Sequence, residues 1–376
     1  MAGASKGLLA GLLLGAGAGV LGAEALPRFP PGAVWNQSVV GAAPHLESQS
    51  MIDTLAGLGG FGLGRLQIDF GFHVVHAAAD APTRVLAAHH GGYWLPDCEP
   101  VGTLVPVPAD AAIEGESGLT CDNDADDCHL LVVQGTTLYE LYSTTELDAA
   151  TLEARCLAVW HLEAVYPPEG RGDHCTSADA AGFPIAPLLF NADEVAAALA
   201  VDPTGDTVDL GHAIRFILPN QRMATDAALG GVDGRLYVRP GSHAGSPTGP
   251  AGSVPYGARL RLTPGFPRTG YNPAARVLLN TFERYGLVLA DGGSVALTAE
   301  SDLYTTAKWD ELGVDSRIFD LTPGATDLAI GHFQVLATGP RIGETWDCLR
   351  APDPLVFADG FEVDGTGRWS ETFPPL

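Results

Sequence analysis

A small set of side chains has the types and spacing to act on a ligand: Glu114, His129, Glu140, Tyr142, Asp179, His212 and Arg215. Three of them fall in one expected hairpin. His129–Gln134 (HLLVVQ) and Thr137–Tyr142 (TLYELY) are joined by Gly135-Thr136, a two-residue Gly-X turn of the type II′ kind. That turn sets the register, pairing Val133 with Leu138, Leu131 with Glu140 and His129 with Tyr142. Opposed residues share a face, so His129, Glu140 and Tyr142 line one side. Leu130, Val132, Tyr139 and Leu141 fill the other. An acid, a phenol and an imidazole opposite an apolar face suit a sheet with a core on one side and a cleft on the other. The alternative is a polar face that is merely solvated.

Two chemistries fit these residues. A glycoside hydrolase needs two carboxyls flanking the scissile bond, one with a raised pKa, and Glu140 with Glu114 or Asp179 would supply them. A polysaccharide lyase needs a base and a cation against the uronate carboxylate, roles open to His129, Tyr142, His212 and Arg215. The same face would also serve a non-catalytic module that binds a glycan or a cell surface, and a structural exported protein would use it for neither. Nucleophilic chemistry at His174-Cys175 is disfavoured, because an exported cysteine is usually oxidised.

Metal chemistry has weaker support. His73, His76, His89 and His90 lie in or beside expected strands, but no H-x-H or H-E-x-x-H spacing occurs, and structural roles suit them better. Asp122, Asp124 and Asp126 alternate in CDNDADDC without the glycine and terminal glutamate of an EF-hand loop, so calcium is the one cofactor to consider there and a solvated acidic loop is the alternative. Gly57-x-Gly59-x-x-Gly62 follows a helix instead of a strand, the reverse of a dinucleotide fingerprint.

The elements that must position these residues centre on Asp173–Pro219. Asn191 with Glu194 three residues on has capping-box spacing and starts a helix over Ala192–Leu199. A strand follows in which Ala213, Arg215 and Ile217 point one way and His212, Ile214 and Phe216 the other. A further helix over Ala274–Tyr285 is capped by Asn272 with Pro273 at its first position, and a short one spans Ser48–Leu58. Strands are expected at Arg65–Ala77, Thr83–His89, Gly234–Arg239, Ala258–Leu262 and Ile330–Ala337, and Asp291-Gly292-Gly293 reads as a turn between Leu287–Ala290 and Val295–Thr298. The fold class is mainly β, a two-sheet antiparallel sandwich of jelly-roll type with a few short helices.

The ends and the composition bound the setting. Residues 1–25 carry Lys6, a Leu/Ala/Gly apolar run and an A-x-A site at Ala23–Ala25, a secretory signal. A single β-rich domain is expected over 26–350, followed by a tail over 351–376, with no transmembrane segment once the leader is removed. The expected location is therefore secreted or cell-surface. Six cysteines in such a chain read as three disulfides, Cys121–Cys128 from their short loop, with the connectivity of Cys98, Cys156, Cys175 and Cys348 left open and Cys156–Cys175 with Cys98–Cys348 as one arrangement. With 45 acidic against 20 basic residues, a net charge of −25, nucleic acid is excluded as a partner and a glycan is retained.

Several segments together resemble a set of uncharacterised exported bacterial proteins. They are Trp35-Asn36, Ile113-Glu114-Gly115, the LYELY run from Leu138, Thr176–Gly182 (TSADAAG), Asp193-Glu194-Val195, His212–Phe216 (HAIRF) and Tyr285-Gly286 with Leu289-Ala290-Asp291. The resemblance covers most of the chain to about Arg350 and implies secretion and a shared fold, without an activity. It also implies that HAIRF and LYELY lie near one another. Cys175 stands where the pattern has tryptophan, which looks like an added disulfide. The tail from Phe357 to Glu362 (FADGFE) with Trp369-Ser370 is similar to a C-terminal pattern of many exported bacterial proteins, and deleting it should leave the domain folded.

Overall fold

The computed structural model describes residues 25–123, 125–320, 322–352 and Pro354. The leader and nearly all of the tail lie outside the described residues, as does Asp124. The strands are, in order, β1 Ile68–Phe72, β2 Val74–His76, β3 Thr83–Ala88, β4 Leu104–Pro106, β5 His129–Gln134, β6 Thr137–Tyr142, β7 Thr145–Asp148, β8 Thr151–Ala154 and β9 Cys156–His161. There follow β10 Gly172–Asp173, β11 Ile214–Leu218, β12 Leu236–Tyr237, β13 Arg259–Leu262, β14 Leu287–Gly292, β15 Leu297–Glu300, β16 Phe333–Val335, β17 Ile342–Gly343 and β18 Leu349–Arg350. The α-helices are α1 Ser48–Gly57, α2 Ala192–Val201 and α3 Pro273–Arg284. No helix among the described residues is long and apolar enough to cross a membrane.

The fold is mainly β with few helices, as the alternation implied. Its sheets are more numerous than two layers and mix both ladder types. A six-stranded sheet runs β1-β15-β11-β14-β13-β16, two four-stranded sheets run β2-β5-β6-β9 and β4-β3-β8-β7, and β10-β18 and β12-β17 form ribbons. The β1–β15, β2–β5, β3–β8 and β11–β14 ladders are parallel.

Local signals translate directly. β5 and β6 pair His129 with Tyr142, Leu131 with Glu140 and Val133 with Leu138, and Gly135 takes φ 58 at the first turn position. Asn191 accepts from the Glu194 N–H at 2.9 Å and Asn272 from the Ala275 N–H at 2.8 Å, each satisfying a free donor at a helix start.

Non-local pairing departs from expectation at three places. First, Asp291 and Gly292 extend β14 instead of opening the turn, and β11 inserts between β14 and β15, parallel to β14 with Ile217 opposite Asp291. Second, the sheet face bearing Glu140 is buried. Leu131, Leu138 and Trp160 pack into the main core on that side, and Leu130, Val132, Leu141 and Leu157 into a second core on the other. Third, two disulfides exchange partners. Cys121–Cys128 forms as expected, but the others are Cys98–Cys156 and Cys175–Cys348. Glu99 N–H donates to Leu157 O at 2.9 Å, which lays Cys98 beside the start of β9. β10 pairs with β18, Asp173 opposite Leu349, which brings Cys348 to Cys175.

Candidate active site

Where β11 and β14 approach the His129 end of the hairpin, the molecule encloses a cavity of about 930 Å³, within the usual range for ligand sites. Its lining includes Asp179, Arg215, Asp291 and Thr298 on one side and Asp69, Glu114, His129 and Tyr142 on another. Asp179, Arg215 and Thr298 are buried, whereas Trp94 and Trp346 are 39% and 48% exposed and form its rim.

The topology of the six-stranded sheet assembles the buried wall. Arg215 on β11 lies between β14, which carries Asp291, and β15, which carries Thr298. Its Nε and Nη2 donate to Asp179 Oδ2 at 3.0 and 2.9 Å, and Nη1 donates to Thr298 Oγ1 at 2.8 Å. Asp179 sits in a tight turn: Ser177 Oγ accepts the Asp179 N–H at 3.0 Å and donates to Phe183 O at 2.6 Å, which commits the serine hydroxyl. Gly182 closes the turn at φ 75, where a Cβ would lie 2.0 Å from Ser242 Oγ. The turn runs beside β14, with Ala181 N–H donating to Ala290 O at 2.8 Å and Ala180 N–H to Asp291 Oδ2 at 3.2 Å.

A fully buried carboxyl, Asp179, and a half-buried one, Asp291, therefore act on one guanidinium. Burial pushes Asp179 up to about 7, Arg215 opposing and Asp291 adding to the rise. Burial also raises Asp291, again against Arg215. Like charges in one cavity wall resist ionising together, which is the sense of the Asp291 effect on Asp179.

The facing wall holds a second couple. His129 Nδ1 lies 2.6 Å from Glu114 Oε2 and Nε2 lies 3.1 Å from Ala178 O. Burial disfavours the charged ring, but the Glu114 charge and hydrogen bond outweigh it and raise His129 to about 9. The ring is thus an imidazolium with both N–H groups donating, and it has no lone pair for base chemistry. Tyr142 lies 5.2 Å from that ring and stacks on Trp94 at 5.5 Å and 25°. Burial pushes the Tyr142 phenol up to about 12.

Of the candidates, Glu114, His129, Tyr142, Asp179 and Arg215 meet in this cavity, so the HAIRF and LYELY segments do converge. Glu140 does not line it. Fully buried, Glu140 accepts from Ile185 N–H and Ala186 N–H, both at 2.8 Å, and from Trp160 Nε1 at 2.9 Å. The Ile185–Ala186 segment covers the face that the alternation left open, and Glu140 anchors that segment. His212 is also diverted. Its Nε2 accepts from Arg28 at 2.8 Å, Nδ1 donates to Ala213 O at 2.8 Å, and Arg28 ties it to Glu194.

The acidic loop is organised by Asn123, whose Oδ1 accepts from Ala125 and Asp127 N–H, while Asp126 Oδ2 lies 3.8 Å from His89 Nε2. His89, His90 and Glu153 place three donor atoms within 4.8 Å of one another. His89 Nδ1 accepts the Gly91 N–H at 2.9 Å, so Nε2 retains the ring proton and lacks the lone pair a metal would need.

Sequence reasoning missed Asp69, Trp94, His243, Asp291 and Thr298 as cavity residues. The position of Asp291 is a usable signal, a carboxylate at the C-terminal end of an apolar strand, followed by glycines. His243 Nδ1 donates to Ala180 O at 2.7 Å, which leaves Nε2 with its lone pair in the neutral ring. Scans of the chain against protein-family models, curated proteins and solved structures each return no match.

Proposed function

We propose that the protein is an exported hydrolase that cleaves a glycan in this cavity. The observation that carries the reading is the carboxyl pair Asp179 and Asp291 near Arg215 in the cavity wall, both held above the usual carboxylate range chiefly by burial. A carboxyl kept protonated near neutral pH is what an oxygen leaving group requires. The pair donates that proton as the glycosidic C–O bond breaks. Water supplies the hydroxyl at the carbon, and its proton passes to Asp69, the carboxylate open to solvent in the same cavity. The stacked Trp94–Tyr142 pair offers an apolar platform for a sugar ring. The three disulfides support an oxidising compartment, in line with the leader-like first 25 residues.

A lyase is less well supported. His129 has no free lone pair, and Arg215 is already neutralised by Asp179 instead of awaiting a uronate carboxylate. The aromatic rim alone favours the second reading, a glycan-binding module without turnover. A panel of glycans scored for new reducing ends and for unsaturated products separates the three. The proposal expects reducing ends without unsaturation. Unsaturated products would replace it with a lyase, and binding without cleavage would leave only the module.

A further inference from the structure

The ion pairs around the cavity are unequally distributed. Each cation in its lining has its own acid: Arg215 has Asp179 at 2.9 Å, His129 has Glu114 at 2.6 Å and Arg235 has Asp233 at 3.5 Å. The converse fails. Asp69 and Asp127 also line the cavity, and among the described residues neither has an ion-pair partner. Asp127 adjoins Cys128 and Asp69 lies on β1, both exposed, so the uncompensated charge comes from separate elements around one space. The rim adds the Trp94–Tyr142 stack, whose indole is 39% exposed. Aromatic faces and unpaired carboxylates attract the same ligand charge, and a walled cavity concentrates that field.

We infer that the glycan taken by this cavity carries a free amine, so that the ligand class is a cationic amino sugar and neither a neutral nor a uronic glycan. This rests on the cavity being a glycan site. The ammonium supplies the cation that Asp69 and Asp127 lack, and the sugar face covers the aromatic rim. A uronate carboxylate would meet uncompensated acids with no free cation to receive it. Acetylation would remove the charge and leave only stacking and hydroxyl contacts.

Calorimetry on the full chain with three short oligomers is the test: glucosamine with free amines, its N-acetylated counterpart, and galacturonate. The free-amine oligomer should bind at least about tenfold tighter than the acetylated one, near 1.4 kcal/mol, and the uronate should not bind. Asp127→Asn should bring the free-amine affinity toward that of the acetylated oligomer and leave the latter unchanged, and Asp69→Asn should narrow the gap between the two. Asp80→Asn, an exposed change away from the cavity lining, should alter neither, which guards against general attraction to an acidic surface. Equal or tighter binding of the acetylated or uronic oligomer overturns the inference, as does failure of all three to bind. Tight amine-selective binding with no new reducing ends would keep it and remove the hydrolase reading. Cleavage of a neutral glycan without amine preference would do the reverse.

Discussion

The Glu140 pocket and the Asp179–Asp291 wall hold carboxyls that look alike when each is considered alone. Glu140 and Asp179 are both fully buried, and burial pushes both up to about 7. They differ in what faces them. Glu140 meets three N–H donors that use up its oxygens, two of them from a backbone segment it holds in place. Asp179 meets a mobile-charge problem: one guanidinium, a second carboxyl and an open cavity. A perturbed carboxyl is therefore no mark of a site by itself. Access to a ligand-sized space is what separates the anchor from the acid.

The largest effect should come from breaking the anchor. Glu140→Ala removes the acceptor for three buried N–H groups and should destabilise the fold by about 3–5 kcal/mol in chemical denaturation, with the cavity residues untouched in sequence. Full retention of stability would make Glu140 no anchor.

A broader but smaller effect is expected from pH. Glu140, Asp179 and Glu300, each raised to about 7 chiefly by burial, hold protons more tightly folded than unfolded. Their contribution is complete below their ordinary carboxyl values and is lost as pH rises to about 7. His129, raised to about 9, loses its contribution between about 6.5 and 9. Burial would raise Glu194, but the Arg28 guanidinium outweighs it and the carboxyl is held at about 2, so its contribution is lost only as pH falls from about 4.5 toward 2. Stability should thus peak near pH 4 and fall on the order of a few kcal/mol by pH 8. Glu140→Gln should flatten the segment below pH 7, and a denaturation midpoint that rises from pH 5 to 8 would contradict the account.

The smallest effect separates the two regions most cleanly. Trp94→Ala on the rim should weaken glycan binding about twofold to tenfold and change stability by less than about 0.5 kcal/mol. A large loss of stability would place Trp94 with the anchors.

What was legible in the sequence was local. The β5–β6 register followed from a two-residue turn and a period of two, and both helix starts followed from asparagine caps. The pairing of Cys121 with Cys128 followed from their short loop. What depended on a third element was not legible. No turn marks the insertion of β11 between β14 and β15, so Asp291 read as a turn residue when it forms the cavity wall. The face of Glu140 was read correctly, but which segment covers that face is set by Ile185–Ala186, far along the chain. The exchanged disulfides have the same origin, because β10–β18 pairing joins segments that share no local signal.

Turnover of Asp291→Asn, set beside its own denaturation midpoint and those of Glu140→Gln, tests the central distinction most directly. On the glycan that the wild-type protein cleaves, Asp291→Asn should lose about 10²–10⁴ in kcat while its midpoint moves little, since the amide still accepts a backbone N–H. Glu140→Gln should lose stability and keep most of its turnover per folded molecule. Wild-type kcat in Asp291→Asn, or abolished turnover in a stable Glu140→Gln, would contradict the assignment of acid and anchor.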